Sequence, residues 1–144
     1  MSLATMPQRP YSRALERLKS VGLRPTRQRL ALAKLLFEGP DRHITAEALH
    51  SEALSAKVRV SLATVYNTLH QFTAAGLLRE VVIEAGRCYF DTNTSDHHHF
   101  FFVESAELCD ISGDAIGFTR LPEAPSGHAV ERVDVIIRVQ KQPR

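Results

Sequence analysis

The chain has 144 residues, with 18 Lys and Arg against 16 Asp and Glu, seven histidines and two cysteines. That length allows one domain or two small ones, and with no apolar run near the roughly 20 residues of a membrane span and no apolar core of a secretion signal, a soluble cytoplasmic protein without a membrane partner is expected. Cys88 and Cys109 alone supply neither a disulfide framework nor a four-cysteine zinc site.

The net charge of +2 conceals a segregation. Residues 1–94 hold 13 basic against 8 acidic side chains, whereas residues 95–144 hold 5 against 8, and residues 1–42 alone hold 9 against 3. A basic first part is drawn to phosphates; the acidic remainder is repelled by them.

Residues 1–10 contain two prolines and no periodicity, which predicts a mobile arm. From Tyr11 to Val21, Leu15, Leu18 and Val21 share one side, a first amphipathic helix ended by Gly22. A turn over Gly22–Thr26 leads to a second helix capped by Thr26, with Leu30, Ala33, Leu36 and Phe37 as its apolar face and Glu38-Gly39-Pro40 as its stop. A third helix starts after Thr45, carries Ala46, Leu49 and Leu54, and breaks near Lys57.

The stretch from Arg59 to Leu78 organises the rest. Leu62, Val65, Leu69 and Phe72 recur at helical spacing, Ser61 stands as N-cap, and Gly76 sits where an αL residue would end the helix. Its other face carries Thr64, Tyr66, Asn67 and His70 with almost no charge, where an ordinary solvated helix would carry Glu and Lys. Short or planar groups of this kind suit base edges: Asn pairs with adenine, and Thr or Tyr meets a thymine methyl. The face therefore reads as a DNA-recognition surface, with Arg59 and Ser61 at its N-terminal end among the candidate contacts.

After Gly76 the pattern changes to short apolar runs, Leu77 to Ile83 and Cys88 to Phe90, separated by a turn at Glu84-Ala85-Gly86-Arg87. Helices followed by a hairpin describe a winged helix-turn-helix, with Arg79 and Arg87 as candidate phosphate contacts of the wing. The polar run DTNTSD follows as a linker. His98 to Glu104 and Glu107 to Ile111 then predict paired strands, residues 113–127 predict irregular structure with at most a short helix, and Val130 to Gln140 predicts a strand with Val133, Val135, Ile137 and Val139 on one face. The class is α+β. The expected division is a winged-helix DNA-binding domain over 1–91, a hinge over 92–96, and a small α/β dimerisation and sensing domain over 97–144. About 48 residues bury little core alone, so dimerisation would supply the missing burial and present two recognition helices to a two-fold operator.

Gly-Leu-Arg-Pro-Thr-Arg-Gln-Arg at 22–29, His-Ile-Thr-Ala-Glu at 43–47, Ser-Leu-Ala-Thr-Val-Tyr-Asn-Thr-Leu at 61–69 and His97-His98-His99 resemble the ferric uptake regulator family. Within it, the triple histidine without Cys-x-x-C pairs resembles the iron response regulator branch of alpha-proteobacteria. The resemblance implies a homodimeric winged-helix transcription factor, with Tyr66 and its neighbours reading AT-rich operator DNA and Arg24 as a further contact. Many relatives have Arg after that tyrosine; here it is Asn67.

Relatives with structural zinc use Cys-x-x-C where this chain has Glu104 and Glu107, so a four-cysteine zinc site is not expected. The family's regulatory metal site corresponds by position to His43, Glu84 and His99, with the last ligand replaced by Phe101. Two imidazoles and a carboxylate suit divalent iron or manganese, or zinc, and the resemblance implies that such an ion ties the two domains across the hinge. On a strand, His97 and His99 share one side and His98 takes the other. A metal would use His99 with His97. A haem would take its axial ligand from the triplet His97, His98 and His99, because neither cysteine precedes a proline.

The branch resemblance implies that haem weakens DNA binding, with a divalent-metal-dependent repressor without haem sensing as the alternative. Two other classes weigh less. A non-haem iron oxygenase needs a substrate cavity that this chain has little core left to form. A haem or metal carrier leaves the neutral helix face and the basic first part unexplained. An enzyme is not expected.

Overall fold

The computed structural model describes residues 12–143. The chain divides into two compact units, the first reaching Thr94 and the second beginning at Ser95. The expected N-terminal arm over 1–10, and Tyr11 at the start of the first expected helix, lie outside the described residues.

The first unit runs α1 (Ser12–Ser20), α2 (Arg27–Phe37), β1 (His43–Ile44), α3 (Ala46–Ser55), α4 (Leu62–Ala74), β2 (Arg79–Glu84) and β3 (Arg87–Asp91). Three of its helices begin in the same way. Thr26, Thr45 and Ser61 each hold extended backbone and accept a hydrogen bond from the N–H three residues on, at Arg29, Ala48 and Thr64. Each such cap stabilises its helix by about 1 kcal/mol. The N-terminus of α1 is served from elsewhere: Ala14 N–H donates to Glu38 Oε1 at 2.9 Å. At the other ends, Gly76 takes φ +85°, and Lys57 takes φ +60° with Val58 N–H returning to Ala53 carbonyl, so both helices close through an αL residue.

These helices bury one face each around a common core. Ala14, Leu18, Leu32, Leu36, Leu49, Val65, Leu69, Phe72 and Phe90 are almost completely enclosed, and the Phe37 and Phe72 rings lie 6.1 Å apart at a tilt. Two expected core positions fall outside it. Leu54 on α3 is 56% exposed, and Leu62 lies at the exposed N-terminal edge of α4, where Thr68 completes the buried stripe instead.

A three-stranded sheet in the order β1-β3-β2 completes the unit, antiparallel throughout. The hairpin β2–β3 turns through Gly86 at φ +78° and carries a bulge between Val82 and Glu84. In β2, Arg79, Val81 and Ile83 point inward and Val82 and Glu84 outward. Helices followed by this hairpin form a winged helix-turn-helix. The pairing of β1 with β3, register His43 to Asp91 and Ile44 to Phe90, was not expected from the sequence, since two residues are too few to show alternation.

The second unit is a three-stranded sheet in the order β5-β4-β6, from β4 (His97–Phe102), β5 (Leu108–Ser112) and β6 (Ile136–Val139). β4 pairs antiparallel with β5 and parallel with β6. Its only helical element among the described residues is one 3-10 turn at Gly113–Ala115. The last strand is shorter than expected: Val133 and Val135 precede it, and pairing with β4 starts only at Ile136. Among its hydrophobic side chains only Phe101 and Ile111 are buried, while Phe102, Val103, Phe118, Leu121, Val130 and Ile137 stay exposed. No helix among the described residues is long and apolar enough to cross a membrane.

Candidate metal centre and nucleic-acid interface

Strand alternation sorts the histidine triplet in the second unit. His97 and His99 project from one face of β4 with ring centroids 4.6 Å apart. Asp110 stands opposite His99 on β5. Its Oδ1 lies 3.6 Å from His97 Nε2 and 3.5 Å from His99 Nε2, and the three donor atoms all fall within 4.8 Å of one another. These separations are long for good hydrogen bonds. They match the roughly 3.4 Å edge of a tetrahedron whose corners stand about 2.1 Å from a central ion.

The tautomer of His97 fits the same use. Its Nδ1 lies 2.7 Å from the Ser95 carbonyl oxygen, which only accepts, so Nδ1 carries a proton and in the neutral ring the lone pair is on Nε2. A second ring nitrogen bonded to a backbone carbonyl is the usual support of a metal-ligating imidazole. The donor set, two imidazoles and one carboxylate, suits divalent iron, manganese or zinc.

His98 differs. Its Nδ1 accepts the Val135 N–H at 3.1 Å, and its ring meets Phe118 edge-on at 5.9 Å. With Nδ1 occupied as an acceptor, the neutral ring carries its proton on Nε2. Phe118 is thus an aromatic wall beside it.

The first unit carries a second pair of donors. His43 Nε2 is 3.4 Å from Asp91 Oδ2, and Asp91 is fully buried with Oδ1 accepting the Asn93 N–H at 2.9 Å. Thr92, in the expected hinge, is fixed to the same unit: its Oγ1 accepts the Arg42 N–H at 2.9 Å and donates to Asp41. The structure does not bring Glu84 to His43. Glu84 sits at the hairpin tip, 3.5 Å from Arg87, five residues along β2 from the Arg79 that pairs with Asp91, or about 17 Å at strand rise. Asp91 and Asp110 are the carboxylates that sequence reading missed.

The candidate DNA contacts lie on the first unit. Arg24, Arg59, Ser61, Asn67, His70 and Arg87 are exposed, and Thr64 and Tyr66 are half-buried on the flank of α4. The helix contains no Asp, Glu, Lys or Arg, so its own side chains do not oppose an approaching phosphate. Its uncompensated N-terminus carries the positive end of the macrodipole. Arg29 braces the surroundings, with one guanidinium N–H on the Arg24 carbonyl at 3.0 Å and another on Gln71 Oε1 at 3.2 Å. Gln28 similarly donates to the Arg59 carbonyl. Arg79 is a correction: it is 6% exposed on the inward face of β2, so it does not offer its guanidinium to a phosphate from the outer face of the wing.

Comparison with known proteins places this geometry. Residues 20–137 match the Ferric uptake regulator family. The ferric uptake regulation protein of Vibrio cholerae serotype O1 is 34% identical over 100 residues, spanning 69% of this chain and 67% of its own length. That of Escherichia coli K12 is 32% identical over 100 residues, spanning 69% and 68%. In fold, a ferric uptake regulator of Pseudomonas aeruginosa solved with manganese superposes with a TM-score of 0.67 at 24% identity, over 90% of this chain and 98% of that one. On the sequence match, the fold and the donor set together, the chain belongs to the ferric uptake regulator family of metal-dependent, DNA-binding transcriptional regulators.

Proposed function

We propose that this protein is an iron-responsive transcriptional regulator that binds AT-rich operator DNA as a homodimer, its DNA binding modulated by a divalent metal, by haem, or by both. The observation that carries the reading is the approach of both His97 Nε2 and His99 Nε2 to Asp110 Oδ1 at tetrahedral-edge separations, with Nδ1 of His97 held by a carbonyl. When bound, the ion neutralises the carboxylate and fixes two strands of the second unit. His43 and Asp91 supply a second pair of donors within the first unit.

Support for the operator comes from α4. Thr64, Tyr66, Asn67 and His70 offer hydrogen-bonding and apolar groups without charge, and Arg24, Arg59 and Arg87 stand exposed to meet phosphates. Support for the homodimer comes from the second unit, whose exposed Phe102, Phe118, Leu121 and Ile137 outnumber its buried apolar side chains.

Haem is the second ligand of this reading, favoured by the likeness of the histidine triplet to the iron response regulator branch. The hydrogen bond from Val135 into His98 Nδ1 leaves His98 the poorest ligand of the three. An axial imidazole then comes from His97 or His99, so haem and metal compete, and haem releases the protein from DNA.

The test is a haem titration of the purified protein, read by absorbance, elemental analysis and retention on duplexes selected from randomised DNA. Haem should displace metal and lower retention, and replacing His97, His98 and His99 together with Ala should abolish both effects. Haem binding that leaves the metal content unchanged would sink the shared-ligand reading. Absence of any haem spectrum leaves the divalent-metal repressor as the function.

A further inference from the structure

Tyr66 is held from two sides. Its hydroxyl donates to Glu47 Oε1 on α3 at 2.5 Å, and its ring stacks on His70 at a centroid distance of 6.4 Å and an interplanar angle of 21°. His70 in turn meets Phe90 edge-on at 5.7 Å. The two ends of the hydrogen bond perturb each other as a phenol donating to an ionised carboxylate should. The bond from Tyr66 holds the Glu47 carboxyl below its ordinary range, and Glu47 pushes the Tyr66 phenol up. Glu47 is exposed in the first turn of α3, where a negative charge facing DNA would otherwise be a liability.

We propose that Glu47 is a specificity-determining residue: by accepting the hydrogen bond of the Tyr66 hydroxyl it leaves Oη an acceptor only, so α4 accepts a base amino group there and rejects a base carbonyl. A free tyrosine hydroxyl donates or accepts, and so tolerates either edge. Tied to Glu47, its remaining lone pairs attract the N6 amino group of adenine or the N4 amino group of cytosine and repel O6 of guanine or O4 of thymine. The stacking on His70 limits how far the ring can turn to escape that choice. Glu47 acts through Tyr66 and is a positioning residue. The inference rests on the reading that Tyr66 faces DNA.

The experiment selects duplexes from randomised DNA with the full-length parent protein, then measures the affinity ratio between amino-bearing and carbonyl-bearing bases at the position most sensitive to Tyr66→Phe. The parent should prefer the amino-bearing base about tenfold. Glu47→Ala should relax that preference, Glu47→Gln should largely keep it because a carboxamide oxygen accepts the same proton, and Glu47→Ala in the Tyr66→Phe background should add nothing. Parental preference in Glu47→Ala, or a uniform rise in affinity for every sequence, would overturn the role of Glu47 alone. Unaltered preference in Tyr66→Phe at every position would overturn the reading of Tyr66 and this inference with it.

Discussion

His99 and Asp110 face each other across the β4–β5 ladder with Nε2 and Oδ1 3.5 Å apart, and His97 reaches the same oxygen from two residues away on its strand. One carboxylate oxygen thus stands before two imidazoles, an arrangement that a bound cation would satisfy.

Asp110→Asn should therefore reduce divalent-metal affinity sharply while leaving the fold intact, because Asp110 is itself partly exposed and the amide is isosteric. Loss of a group that merely supports a ligand costs 10–100-fold, so loss of a ligand should cost about a hundredfold or more. Elemental analysis after dialysis against a buffered metal reads the effect. A variant that retains parental metal content would remove Asp110 from the site.

Phe101 lies two residues beyond His99 on the same face of β4, buried, with Arg138 over its ring at 5.6 Å. Phe101→His should place a third imidazole in line with His97 and His99 and tighten metal binding. It should also destabilise the metal-free protein by about 1–3 kcal/mol, because a polar ring replaces a buried apolar one. Thermal unfolding with and without metal separates the two effects. Equal stability changes in both states would show that the new imidazole binds nothing.

Much of this was legible from the sequence, for reasons that can be named. The caps at Thr26 and Ser61 are local chemistry, and strand alternation alone separates His98 from His97 and His99. Asp110 was not legible, because its place depends on the register between β4 and β5, which no single strand encodes. Asp91 was hidden by a two-residue partner strand and by the polar run that follows it. Arg79 is different. Its burial is written in the alternation with Val81 and Ile83, and the expectation of a wing contact gave its charge more weight than its position. Val133 and Val135 show the reverse error: their alternation is real, but β6 finds its pairing partner only from Ile136.

Cys88 offers a chemical check on the first unit. Its Sγ donates to Glu80 Oε1 at 3.0 Å, and burial first, then that bond and the nearby carboxylate, push the thiol up to about 12. Few Cys88 thiolates exist at pH 8, though each is more nucleophilic for its higher basicity. Taken together, alkylation of Cys88 should run tens of times slower than for an ordinary thiol. Cys109 is exposed and should react first. Mass spectrometry of partly alkylated protein gives the ratio, and Glu80→Gln should raise the Cys88 rate. Equal labelling of both cysteines in the native state would contradict the placement of Cys88.

The Glu47–Tyr66 hydrogen bond also predicts a pH window for stability. Glu47 has an ordinary value of 4.5 and lies lower in the folded state, so its contribution is fully present above 4.5 and is lost as pH falls through the lowered value. Tyr66 has an ordinary value of 10.0 and lies higher in the folded state, so its contribution is fully present below 10.0 and is lost as pH rises through the raised value. Tyr66→Phe deletes the bond and keeps the ring. Urea unfolding should therefore find the parent more stable than Tyr66→Phe across the middle of the range, with the difference shrinking at both extremes. Because the hydrogen bond itself is exposed, solvent screening keeps the mid-range gain small, and high salt should reduce it further. Glu47→Gln should flatten the acid limb and keep a smaller alkaline one, since the carboxamide still accepts the bond but no longer repels the phenolate. A parent-to-Tyr66→Phe difference that stays constant with pH would mean that the hydroxyl stabilises the fold through some partner other than Glu47.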